Sequence, residues 1–197
     1  RLCYCMPGEP FASPTLLRGV AKGPVVDLDA GAHQGQRVLA VAVGASEGGF
    51  DAARVLLLSV SAAGELEPRH AIRLGALELC HSLRFREGAL VCALSTGTVR
   101  VFDVEAGRPT VLIKAHARSI SALEFHPSKP MFATASEDCT IGLFSIAGAP
   151  HRVAHIAHIE APDCILTGVA FCGGAPRDFV AASAYDTDSI QAWAIAG

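Results

Sequence analysis

Histidine, hydroxyl and carboxylate side chains fall together in one short stretch of this chain, KAHARSISALEFHPSKPMFATASEDCTIGLFSI at 114–146. His116 as general base with Ser136 or Thr134 as nucleophile is the hydrolase arrangement these residues permit. That chemistry needs an exposed nucleophile and donors for an oxyanion. The sequence carries no Gly-x-Ser-x-Gly elbow and no oxyanion-hole motif. His151, His155 and His158 form a second group in HRVAHIAH. On a regular strand His151 and His155 share a face and His158 points away, so the three imidazoles do not converge on a metal. The seven cysteines include no Cys-x-x-Cys; Cys3 and Cys5 are the tightest pair. Most of the others lie in apolar runs, which is the usage of a small hydrophobe in a reducing compartment. Asp186 and Asp188 lack the repeated carboxylate spacing of a calcium loop. The glycine-rich pieces GASEGGF (44–50) and CGGAP (172–176) lack the Gly-Lys-Ser/Thr ending of a phosphate loop. No catalytic, metal-binding or cofactor-binding residue is expected. An exposed basic stripe is the remaining candidate: Arg84 and Arg86 alternate along one strand, Arg100 lies on the next, and all three are expected partner contacts.

These residues sit in a chain built of short strands. Its 197 residues are 51% hydrophobic with a net charge of −3, and the mean hydropathy is +0.38. That is ample apolar surface for a core and no concentrated basic footprint for nucleic acid. No run of apolar residues is long enough for a transmembrane helix, and no signal peptide opens the chain. The absence of an initiator Met points to an N-terminus further upstream. Helical periodicity is scarce. Runs of Val, Ile, Leu, Phe and Cys are punctuated by Gly, Pro, Ser and Asp, as in an all-β fold.

The runs repeat. LRFREGALVCALSTGTVRVFDVEAG (83–107), LEFHPSKPMFATASEDCTIGLFSI (123–146) and VAFCGGAPRDFVAASAYDTDSIQAWAI (169–195) share one plan of strand, turn, strand, turn and strand. Phe85, Phe125 and Phe171 occupy one position, 40 and 46 residues apart. That period is one four-stranded propeller blade. A weaker copy precedes them in VVDLDAG (25–31), RVLAVAVG (37–44) and VLLLSVSAAG (55–64), and HAIRLG (70–75), TVLIKAH (110–116) and RVAHIAHI (152–159) are the expected outer strands. The expected fold is an all-β propeller of about four consecutive blades from a larger, seven-bladed ring, its N-terminal blades lying outside this sequence. Residues 1–19 would end a preceding blade. Blades would follow at 20–75, 76–116 and 117–159, and residues 160–197 would form a last blade lacking its outer strand. A complete four-bladed ring closed by TLLRG (15–19) is the competing arrangement.

The blade at 115–146 resembles a WD repeat. That superfamily links a Gly-His pair, a Ser or Thr, an Asp in the turn between the second and third strands, and a terminal Trp-Asp. The resemblance places a structural tetrad on His116, Thr134, Asp138 and Phe144. Ala115 stands in for Gly and Phe144 for Trp, and a phenyl ring has no N–H to complete the last link. Thr96 takes the place of the turn Asp in the preceding blade, so packing carries more there than polar bonding. IKAHARSISALEF (113–125), ASEDCTIGLF (135–144) and GVAFCGGAPRDFVAASAYD (168–186) together resemble the C-terminal part of the WD repeat-containing protein 54 family.

What the resemblance implies is a non-catalytic scaffold that presents propeller faces to other proteins in a multiprotein complex. The alternative setting is a structural subunit of a ciliary, axonemal or other microtubule-based assembly. A hydrolase or metal enzyme on a propeller is the remote alternative. The expected partners are proteins rather than nucleic acid, membrane or a small molecule. The expected location is the cytoplasm, or a cilium or the cytoskeleton.

Overall fold

The computed structural model describes residues 21–46, 52–62, 64–148, 151–173 and 177–195. Residues 1–19, with Cys3, Cys5 and the TLLRG segment expected to close a four-bladed ring, lie outside these. The first sheet holds β1 (Val25–His33), β2 (Gln36–Val43), β3 (Arg54–Val60) and β4 (Leu66–Arg73). The second holds β5 (Cys80–Arg86), β6 (Ala89–Leu94), β7 (Thr98–Asp103) and β8 (Arg108–Lys114). The third holds β9 (Ile120–Phe125), β10 (Met131–Ser136), β11 (Thr140–Ala147) and β12 (Arg152–Glu160). The fourth holds β13 (Leu166–Cys172), β14 (Asp178–Ala184) and β15 (Ile190–Ile195). Every strand pairs antiparallel with its neighbour in chain order. The first strands β1, β5, β9 and β13 lie against one another in sequence, so the sheets fan out like the blades of an incomplete propeller.

Hydrophobic burial between the sheets explains why the middle strands read as continuous apolar runs. β6 (ALVCAL) and β10 (MFATAS) are buried at every position because both of their faces meet another sheet. Leu57, Leu83, Leu90 and Phe102 fill the space between the first and second sheets. Val91, Val101, Leu123, Phe132 and Phe144 fill the next space, and Ile141, Leu143, Leu166 and Val180 the one after. The free thiols Cys80 and Cys92 belong to the first of these layers, and burial pushes the Cys92 thiol well up. They behave there as small apolar side chains.

Irregularities repeat as faithfully as the strands. Each sheet shifts register at the start of its innermost strand, at Val25/Asp27, Cys80/Ser82, Ser136 against Ile120, and Leu166/Gly168. The three four-stranded sheets shift again where the third and outer strands pair, at Leu57/Leu58, Val101/Phe102 and Leu143/Phe144. An extra residue in the outer strand reverses the in–out alternation beyond it. In β12 that residue is Ile156, lying between His155, opposite Phe144, and Ala157, opposite Leu143. His158 lies opposite Gly142. His155 and His158 therefore share a face, which corrects the parity expected for a regular strand.

Candidate functional site

The polar residues of the third sheet converge at the link from β8 to β9. His116 sits in that link. Its amide donates to the carbonyl of Gly97 in the β6–β7 turn (3.0 Å), and its imidazole reaches into the third sheet with no solvent exposure. Nε2 meets the Thr134 hydroxyl on β10 at 2.8 Å. Nδ1 lies 3.2 Å from both carboxylate oxygens of Asp138 and 3.0 Å from the Thr140 hydroxyl. Asp138, in the β10–β11 turn, also accepts the amides of Ala117 (2.9 Å) and Thr140 (3.1 Å) and the Thr140 hydroxyl (2.6 Å). On the far side Nε2 of His158 lies 2.9 Å from the same hydroxyl.

One proton order satisfies every member. His158 donates to Thr140, Thr140 donates to Asp138, His116 donates from Nδ1 to Asp138, and Thr134 donates to Nε2 of His116. This order needs a neutral His116. Burial is the main force pushing its pKa below the ordinary value, helped by nearby His158 and opposed by Asp138. Burial acts against the Asp138 carboxylate, but the bonds from Thr140, the Ala117 amide and Ser136, together with His116, hold its pKa below the usual value. Neither ring nitrogen of His116 is free to act on a substrate. The cluster instead ties the connection between two sheets to the turn of the second.

Phe144 is the apolar end of this cluster. Its ring stacks on Phe132 at 5.2 Å between centroids and meets His155 edge-on at 5.6 Å. Gly142 allows that approach: a Cβ there would lie 2.6 Å from the Phe144 ring and 3.0 Å from the Thr134 hydroxyl. Thr140, Gly142 and His158 belong to the site, but the sequence reading missed them. Thr140 had a local signal, because a hydroxyl two residues after a turn Asp is placed to bond it. His158 had none, since its orientation depends on the bulge at Ile156.

The register separates the three arginines. Arg84 and Arg86 lie on the face of β5 turned toward the third sheet, whereas Arg100 is aligned with Cys92 and Leu83 on the opposite face. They form no common stripe, because residues directly opposed across a sheet share a face and 84 and 100 fall in different rows. Arg84 joins three innermost strands, pairing with Asp27 on β1 at 3.0 Å and Glu124 on β9 at 3.2 Å. Burial disfavours its charge, yet Glu124 and Asp27 outweigh that and raise its pKa. Asp27 and Asp29 also accept the Leu83 and Phe85 amides at 2.9 and 2.7 Å. These carboxylates satisfy the backbone edge that β5 turns away from β6. Arg86 donates to the carbonyls of His126 and Lys129 and lies over the Phe125 ring. Arg100 pairs with Glu78 at 2.6 Å. All three guanidinium groups are engaged within the fold. Among the described residues no group of three or more His, Cys, Asp or Glu side chains is placed to hold a metal ion.

The closed polar cluster belongs to the third of four antiparallel sheets, three of them four-stranded and the last three-stranded. The family model described as WDR54 matches residues 15–195. The chain belongs to the WDR54 family. WD repeat-containing protein 54 of Mus musculus is 30% identical over 115 residues, covering 56% of this chain and 34% of that protein. The matched part thus spans about a third of the length of that WDR54 relative. The designed protein Ika4 superposes with a TM-score of 0.66 at 18% identity, covering 92% of this chain and 96% of its own. The β-propeller domain of Myceliophteria thermophila Cps50 (Swd1) does so with a TM-score of 0.65 at 15% identity, covering 80% of this chain and 52% of its own. At those identities the likeness is one of fold, and the fold is the WD-type β-propeller on which the WDR54 family is built.

Proposed function

We propose that this chain is part of a non-catalytic interaction scaffold, whose blades hold loops rigidly for partner proteins within a multiprotein complex. One observation carries the reading. The side chains most capable of chemistry, His116, Asp138 and Thr134, are spent on one another, with His116 fully enclosed. Membership of a WD-repeat family supports it, since a propeller offers broad faces and many loops on a stiff frame.

Cross-linking followed by mass spectrometry, on the protein purified from intact cells at physiological salt, tests the proposal. Expected are cross-links from propeller loops to the same partner in repeated preparations. Recovery of the monomer alone, with no inter-protein cross-link, would overturn it. The extent of the footprint separates two settings. A cytoplasmic adaptor leaves one propeller face open, whereas a fixed subunit of a microtubule-based assembly has several faces covered at once.

A further inference from the structure

The extra residue in β12 brings two ligating side chains together. Ile156 shifts the alternation of the strand, so His155 and His158 stand on one face, the face turned toward the second sheet. Their rings lie 5.7 Å apart between centroids, tilted by 39°. Metal–nitrogen bonds of about 2.0–2.1 Å set two imidazoles on one tetrahedral ion about 5–5.5 Å apart between centroids. A small turn of either ring therefore brings both onto a single ion. Both side chains are exposed, so a hydrated cation can reach them. On a regular strand the same two residues would face opposite ways.

The ring nitrogens are already sorted. Nε2 of His158 donates to the Thr140 hydroxyl at 2.9 Å, and that hydroxyl donates to Asp138 at 2.6 Å. Nδ1 of His158 is left with its lone pair. No described residue bonds that nitrogen, or either nitrogen of His155, whose ring is steadied edge-on by Phe144 at 5.6 Å. An imidazole whose other nitrogen donates toward a carboxylate is fixed in tautomer and made more basic, the usual outer support of a metal-bound histidine. His116 is different. Its ring lies 5.6 Å from that of His158, but both its nitrogens are bonded inside the sheet. His151 is too distant, about 13 Å from His155 along an extended chain.

We propose that His155 and Nδ1 of His158 chelate one divalent transition-metal ion of the imidazole-binding class, such as Ni2+, Cu2+ or Zn2+, with water in the remaining positions. Imidazole selects these ions over Mg2+ and Ca2+, which take oxygen ligands. The ion spans the bulge at Ile156 and so fastens the outer strand of the third blade across its irregular point.

Isothermal titration of the intact, untagged, chelator-stripped protein with NiCl2 tests the proposal, with MgCl2 as the comparison probe. Saturable binding of one Ni2+ is expected, and no binding of Mg2+. His155→Phe keeps a ring against Phe144 and removes its nitrogens. That change and His158→Ala are each expected to weaken Ni2+ binding by about tenfold or more, and Thr140→Val by about tenfold, as for loss of an outer support. His151→Ala is expected to leave it unchanged. Ni2+ is also expected to raise the urea midpoint of the parent and not that of His155→Phe, since the folded strand alone holds the two rings together. If His158→Ala or Thr140→Val lowers the melting temperature without metal, His155→Phe alone decides the matter. Parent-like Ni2+ binding by His155→Phe would overturn the proposal, by placing the ion elsewhere, on thiols for example. Equal losses in His151→Ala and His155→Phe would also overturn it, as would a parent that binds no Ni2+ saturably. None of these outcomes moves the cross-linking result, so the scaffold reading is judged separately.

Discussion

Replacing Asp138 by Ala should destabilise the propeller strongly. The carboxylate accepts the Thr140 hydroxyl at 2.6 Å, the amides of Ala117 and Thr140 at 2.9 and 3.1 Å, and Nδ1 of His116 at 3.2 Å. Hydrogen bonds to a charged acceptor contribute about 1.5–3 kcal/mol net. The substitution also strands the His116 donor in a place with no exposure to water, which costs about 1–3 kcal/mol more. These contributions overlap, so the expected loss is about 3–5 kcal/mol, the usual range for breaking a buried polar network from one side. In a domain of this size that lowers the melting temperature by about 10 °C. Calorimetry and urea unfolding of D138A, H116A and the double variant measure it. The double variant should lose much less than the sum of the two singles, because each single leaves the other partner unpaired. If D138A unfolds within about 0.5 kcal/mol of the parent, a typical surface effect, or if the singles simply add, the cluster does not act as a structural unit.

Acid should weaken the fold in two stages. The pKa of His116 is lowered in the folded state, so its contribution is fully present above the ordinary imidazole value of about 6.5 and is lost as pH falls through the folded value. The Asp138 carboxyl is lowered too, so its share is present above about 4 and is lost on further acidification. Urea midpoints across pH should show both stages, and H116Q should abolish the first. Gly142→Ala should cost about 1–3 kcal/mol as an overpacked core position, because the Phe144 ring that a new Cβ would strike is clamped by Phe132; thermal unfolding reads it. Arg84→Met should cost about 1 kcal/mol, as for partly exposed ion pairs, and the gap from the parent in melting temperature should narrow as salt is added. An unchanged gap would mean that Arg84 acts through packing alone.

The sequence by itself was enough to read the repeat, the strand–turn–strand plan of each blade and the propeller class. Strand patterns depend on local alternation, and the turn signals lie within a few residues of the strands they separate. His116, Thr134 and Asp138 were likewise legible as a set, through resemblance to a repeat whose positions are spaced along the chain. What the tertiary structure decided was direction. The bulge at Ile156 turned His155 and His158 to one face, and no local residue type announced it. The alignment of Arg100 with Cys92 put it on the opposite face from Arg84 and Arg86, undoing a stripe that adjacency in sequence had suggested. Asp27 and Arg84, far apart in the chain, met only because innermost strands pack side by side. Spacing in sequence sets which side chains can lie in a row, but register, bulges and the packing of one blade on the next set which of them meet.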